Sequence, residues 1–195
     1  MSRAGWCIFR RSKLQVRAVN YKKFLPFLLA FVLPIIAIYA WWGGFSSVDI
    51  KEGVRGPYTY AYLEHRGDYS KLPELAEEAR GLLKDSKVAY GLPITVLYSN
   101  PDLVDVGKRR SRTGYLVGVG VTVRAPLQID RLPARPVLIA TVRAGPLLAP
   151  SRAYPALDRY RQARGGGILM PTVEIFEPSG TLLRMGVLTV EMPRP

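Results

Sequence analysis

Glu174 and Phe176 stand two residues apart in Thr172-Val173-Glu174-Ile175-Phe176. Alternate residues of an extended strand share a face, so the carboxylate and the ring point one way with Thr172, while Val173 and Ile175 point the other. A carboxylate among apolar groups costs free energy unless it is paired, which marks Glu174 as a candidate binding residue. The plain alternative is a glutamate paired with Arg184 or left in solvent. A second run, YTYAYLEH at 58–65, puts Tyr58, Tyr60, Tyr62 and Glu64 on one strand face. Together with Glu174 and Phe176 these would line an aromatic groove carrying carboxylates. Such a site suits flat organic cations through cation–π and charge attraction. The tyrosines read equally well as core. Gly118 and Gly120, within a strand expected at 115–123, leave bare backbone that a ligand can approach.

Most other chemistries lack their residues. His65 is the only histidine and Cys7 the only cysteine. A Ser-His-Asp triad therefore has a single imidazole to build on, a zinc site lacks ligands, and no metal or cofactor is expected. No glycine loop of phosphate-binding type occurs.

The elements that must position these residues follow from periodicity and punctuation. After the strand at 58–65, Ser70 is a candidate N-cap with Pro73 in the first turn. Leu72, Leu75, Ala76, Ala79, Leu82 and Leu83 then recur at helical spacing. Strands are expected at 93–98 and 115–123, separated by a basic loop with Lys108, Arg109, Arg110 and Arg112. A proline-bearing segment, 126–136, divides this half from a second one with the same order: strand 136–145, helix 151–164, strand at 171–177, closing strand 182–192. The second helix is stopped by Gly165, Gly166 and Gly167. In this alignment Val96 corresponds to Glu174. Two such units are each too small to bury a core alone. The expectation is an α+β domain built as a pseudo-twofold duplicated β-α-β-β unit, with an antiparallel sheet, both helices on one face and a groove between the halves. Its repeats would span 57–125 and 135–193 of a domain at 57–195.

Ahead of the domain, residues 24–42 contain no charge across nineteen positions, a run of about 28 Å as a helix, close to the apolar thickness of a bilayer. Tyr39, Trp41 and Trp42 form an aromatic anchor at its end. It reads as a transmembrane helix, with a cleavable signal peptide ending near Ala40 as the competing reading. The net charge is +13, of which Arg3, Arg10, Arg11, Lys13, Arg17, Lys22 and Lys23 supply seven with no acid among them. Such a tail, 1–23, is expected in the cytoplasm beside anionic lipid headgroups, with 43–56 as a linker and the domain extracytoplasmic, in the periplasm.

Three stretches resemble the gyrase-inhibitor-like (GyrI-like) small-molecule-binding family: His65-Arg66-Gly67-Asp68-Tyr69, Leu97-Tyr98-Ser99-Asn100-Pro101 and Val173-Glu174-Ile175-Phe176. Tyr154-Pro155-Ala156-Leu157-Asp158-Arg159-Tyr160 is similar to the corresponding part of a membrane-anchored autophagy receptor of the endoplasmic reticulum. The family usually has an aspartate where Ser99 stands and an acid where Arg112 stands. The resemblance implies a groove in which Glu174 recognises cationic or polar ligands. Some relatives are hydrolases of reactive small molecules, which would make Glu64 and Glu174 an acid/base pair if they converge on one substrate atom. A third reading is a subunit that binds a membrane protein partner. No nucleic-acid partner is expected, because no DNA-reading helix-turn-helix precedes the domain.

Overall fold

The computed structural model describes residues 21–179 and 185–194, with side-chain surroundings described from Leu25 onward. Two compact units are present, Met1–Ala37 and Ile38–Pro195. The described part of the first is helical and belongs to helix α1, Tyr21–Trp41, which accommodates Pro26 and Pro34. Its apolar side chains are exposed, among them Phe27, Phe31 and Ile35. Among the described residues no helix is long and apolar enough to cross a membrane. The described side chains of α1 cover less than the whole apolar run at 24–42.

The second unit is built on an eight-stranded antiparallel sheet in the order β1-β6-β8-β7-β3-β4-β2-β5. The strands are β1 Val48–Arg55, β2 Tyr58–Arg66, β3 Tyr90–Leu97, β4 Arg110–Val117, β5 Gln128–Leu132, β6 Arg135–Ala144, β7 Thr172–Glu177 and β8 Gly186–Pro193. Helix α2, Leu72–Asp85, lies between β2 and β3, and α3, Ala149–Gln162, between β6 and β7. Two β-α-β-β units thus meet where β3 pairs with β7, and the strand order is symmetric about that seam.

Several boundaries differ from the sequence expectation, each for a local reason. Ser70 does not cap α2; it sits in a one-turn 3₁₀ segment whose cap is Asp68, with the Asp68 carboxylate accepting from the Ser70 backbone at 3.0 Å. The expected linker at 43–56 is largely strand β1, which pairs with β6 over its whole length, from Val48↔Val142 to Arg55↔Arg135. The proline-bearing segment holds β5, which pairs with β2. The strand expected at 115–123 is shifted to Arg110–Val117, so the run read as a basic loop forms most of β4. Gly118 and Gly120 fall in the exposed turn after it, where Gly120 takes φ +85°.

Directly paired residues of an antiparallel sheet project to the same face. One row runs Leu63, Thr113, Thr95, Glu174, Val190, Ala140 across six strands. At one end Leu63 packs in a core with Ala79 and Leu83 of α2, and at the other Val190 and Ala140 pack with Ala153 and Leu157 of α3. Both helices therefore cover this face, one over each half, and Glu174 lies between them. The neighbouring row, Glu64, Arg112, Val96, Val173, Glu191, Ile139, projects to the opposite face. There Tyr60, Tyr62, Ile94, Val96, Val173 and Ile175 form a third core.

Candidate functional site

Between α2 and α3 a groove of about 840 Å³ opens over the middle of the sheet. Its floor is Thr95, Thr113 and Glu174, its walls are the first turns of both helices with Leu72, Pro73, Ala76, Pro150, Tyr154 and Asp158, and Tyr69 and Met170 add apolar surface. Prolines early in each helix remove backbone donors from these walls, leaving them largely apolar. Among the described residues three acids line the groove, Asp102, Asp158 and Glu174, and no lysine or arginine lines it.

Glu174 is half-buried, and its carboxylate accepts a hydrogen bond from the Tyr154 hydroxyl at 2.7 Å. The same hydroxyl lies 3.0 Å from Thr172 Oγ1. Desolvation pushes the Glu174 pKa above the ordinary glutamate value, and the bond from Tyr154 offsets part of that rise. Tyr154 is itself pushed well above the usual phenol range, first by burial and then by the adjacent carboxylate, so it stays a donor. Among the described residues no cation pairs with Glu174; Arg184, the candidate partner, lies outside them. Thr95 Oγ1 and Thr113 Oγ1 bond to each other at 2.9 Å, which leaves Glu174 as the principal unspent acceptor on the floor.

Tyr69 secures one end of the groove. Its hydroxyl donates to the Ser99 carbonyl at 2.8 Å and to that of Arg110 at 3.1 Å, and Ser99 Oγ accepts from the Arg110 backbone at 3.1 Å. A serine at 99 therefore still ties the loop to β4. The arginine at 112 makes an ion pair with Asp130 of β5 and lies over the rings of Tyr62 and Tyr98, 4.6 and 5.2 Å from their centroids.

The expected grouping of site residues does not assemble. Glu174 faces the groove, while Phe176 shares its face but packs in the α3 core. Tyr60 and Tyr62 are buried in the core of the opposite face, on the far side of the sheet from Glu174. Tyr58 is on that side too and donates to Glu191 at 2.6 Å. Glu64 is paired there with Arg110 at 3.1 Å. Since Glu64 and Glu174 face opposite sides of one sheet, they cannot serve a single substrate atom as acid and base. Tyr58 and Gly118 instead line a separate hollow of about 500 Å³, and Gly120 is exposed. Val96, set against Glu174 when the two halves of the sequence are aligned, faces away from the groove, and the residue paired with Glu174 is Thr95.

Tyr154, Asp158 and Tyr69 escaped sequence reasoning as site residues. The signal was available for the first two, which lie one turn apart on α3 and in the quoted YPALDRY stretch. Another group, Glu191, is inaccessible to solvent on the opposite face, with Arg135 Nη2 at 3.5 Å and Arg55 Nε at 4.0 Å. Burial raises its pKa, and the tyrosine bond and both arginines pull it back.

No family model matches the sequence, and no curated protein matches it. Solved structures do match, and the fold that they share with this chain is consistent with the GyrI-like resemblance. In particular, the crystal structure of the EcmrR C-terminal domain aligns with a TM-score of 0.57 at 12% identity, covering 76% of this chain and 96% of that one. The cryo-EM structure of the EcmrR–DNA complex aligns at 0.58 and 10% identity over 91% of this chain and 72% of that one. SAV2435 bound to tetraphenylphosphonium aligns at 0.53 and 9% identity, over 74% and 93%. At these identities the likeness is one of fold.

Proposed function

We propose that this chain is a membrane-tethered module that binds a lipophilic organic cation in the groove between α2 and α3, with Glu174 as its charge partner. The observation that carries the reading is the composition of the groove: Glu174 backed by Tyr154, with Asp102 and Asp158 and no basic side chain among the described residues, in a chain of net charge +13. An apolar pocket with one desolvated acid favours a cation whose own charge is spread and weakly hydrated. SAV2435, which shares the fold, is seen with a ligand of that kind, tetraphenylphosphonium. The symmetric strand order supports reading the domain as a duplicated β-α-β-β unit. The DNA in the EcmrR complex is EcmrR's partner; for this chain no nucleic acid is carried over.

The tether is the charge-free run at 24–42, whose described side chains from Leu25 to Trp41 are exposed and mostly apolar. With seven basic residues ahead of it, the tail lies in the cytoplasm and the domain outside it. The binding claim is tested on the full chain in detergent, by calorimetric titration with tetraphenylphosphonium. The parent protein binds, Glu174→Gln binds about ten- to a hundredfold more weakly, a loss of about 1.4 to 2.8 kcal/mol, and Glu64→Gln binds like the parent. Equal affinity for parent and Glu174→Gln would defeat the assignment of the site.

A further inference from the structure

The segment that follows the apolar run is fastened to the rim of the groove. The Trp42 carbonyl accepts from the Gly145 backbone at 2.9 Å, and the Ser46 carbonyl accepts from Arg152 Nη2 at 3.1 Å. Between them Gly43, at φ +81°, is packed so closely that a Cβ would come within 2.7 Å of the Arg143 carbonyl oxygen. Strand β1 begins two residues after Ser46. No slack chain therefore separates the end of the apolar run from the segment at 143–152. Within that segment Pro146, Leu147 and Pro150 line one end of the groove.

The same segments carry large apolar side chains that are exposed, with the Phe45 ring edge-on to that of Tyr39. Trp41 is 73% exposed, Phe45 68% and Leu147 74%. Exposed aromatic and large apolar side chains are the composition of a surface seated at the lipid headgroup level. The other end of the groove is built from Asn100, Pro101 and Asp102. Pairing puts these two ends at opposite ends of the strands: Leu97, just before that loop, pairs with Thr172 at the start of β7, whereas Ala144 pairs with Gly186, adjacent to the row holding Glu177 at the end of β7.

We infer that the end of the groove formed by Pro146, Leu147 and Pro150 opens onto the bilayer interface, with Trp41, Phe45 and Leu147 seated among the headgroups. The site then takes cations that have already partitioned into the membrane, and the loop at 100–105 faces water. This rests on the proposed tether and adds to it which end of the groove meets lipid.

The test uses the full chain with Cys7→Ser, reconstituted into phosphatidylcholine–phosphatidylglycerol vesicles. An environment-sensitive fluorophore is placed on Leu147→Cys or, separately, on Leu103→Cys, which is 81% exposed in the opposite loop. With a nitroxide quencher carried near the lipid headgroup, the label at 147 loses its emission and the label at 103 keeps it; aqueous iodide gives the reverse. If the chain floats with vesicles but the label at 147 is quenched only by iodide, the inference is overturned and the tether stands. If the chain does not float with vesicles, the tether fails and the inference fails with it. Circular dichroism and a melting temperature matching those of the Cys7→Ser parent confirm that both labelled chains are folded.

Discussion

Burial raises the Glu174 pKa, so the folded chain prefers that carboxyl neutral, while a cationic ligand prefers it charged. For a group whose folded pKa exceeds its unfolded value, the stabilising contribution is complete below the ordinary glutamate pKa and is lost as pH rises through the raised value. Glutamine mimics the neutral acid at every pH. Glu174→Gln is therefore expected to melt a few degrees higher than the parent at pH 7, the difference closing at about pH 4. Cation affinity runs the other way, falling as pH drops through the same raised pKa. Thermal melts at the two pH values decide the point, and a variant less stable than the parent at pH 7 would mean that the carboxylate is held by a structural partner. Binding and stability thus oppose each other at one side chain, the pattern expected of a group kept for function.

At the scale of elements, the two edge strands matter most for handling the domain. β1 covers the hydrogen-bonding edge of β6, and its Val48 and Ile50 pack on the α3 core, while Asp49, Lys51 and Glu52 keep its outer side charged. A truncation beginning at residue 56 would remove this strand and expose an unpaired edge rich in valine, leucine and isoleucine. Such a fragment is expected to aggregate, whereas one beginning at residue 46 is expected to elute as a discrete species in size-exclusion chromatography. Equal behaviour of the two would show β1 to be dispensable. The same strands explain what the sequence withheld. β1 and β5 carry the charges that protect an edge, so VDIKEGVR and QIDRL read as linker and separator. β4 was displaced because Arg110 and Arg112 looked like a loop, although they alternate with buried Ser111 and Thr113. The inner strands and both helices were legible because their apolar periodicity is dictated by burial. Glu174 was legible as an acid in an apolar strand, but a sequence does not state which faces of two distant strands coincide. The tyrosines of β2 were therefore joined to the wrong side of the sheet.

The charge of the whole molecule is distributed in a way that bears on its orientation. Seven of its basic residues precede the apolar run without a single acid, whereas beyond the run Asp49, Lys51, Glu52 and Arg55 balance one another. Translocating the tail would mean carrying seven cations across the apolar layer, so the proposed tether is expected to keep the tail on the cytoplasmic side and the groove domain outside it. Cys7, in that tail, is the only thiol of the chain and reports on this directly. In intact cells it is expected to resist a membrane-impermeant maleimide and to label fully once the cells are opened. The single-cysteine chain with Cys7→Ser and Leu103→Cys is expected to label in both cases, given access through any outer barrier. Ready labelling of Cys7 in intact cells would reverse the orientation and put the groove on the cytoplasmic side. Cations reaching the groove through the interface would then come from the inner leaflet, and the binding site itself would be unaffected.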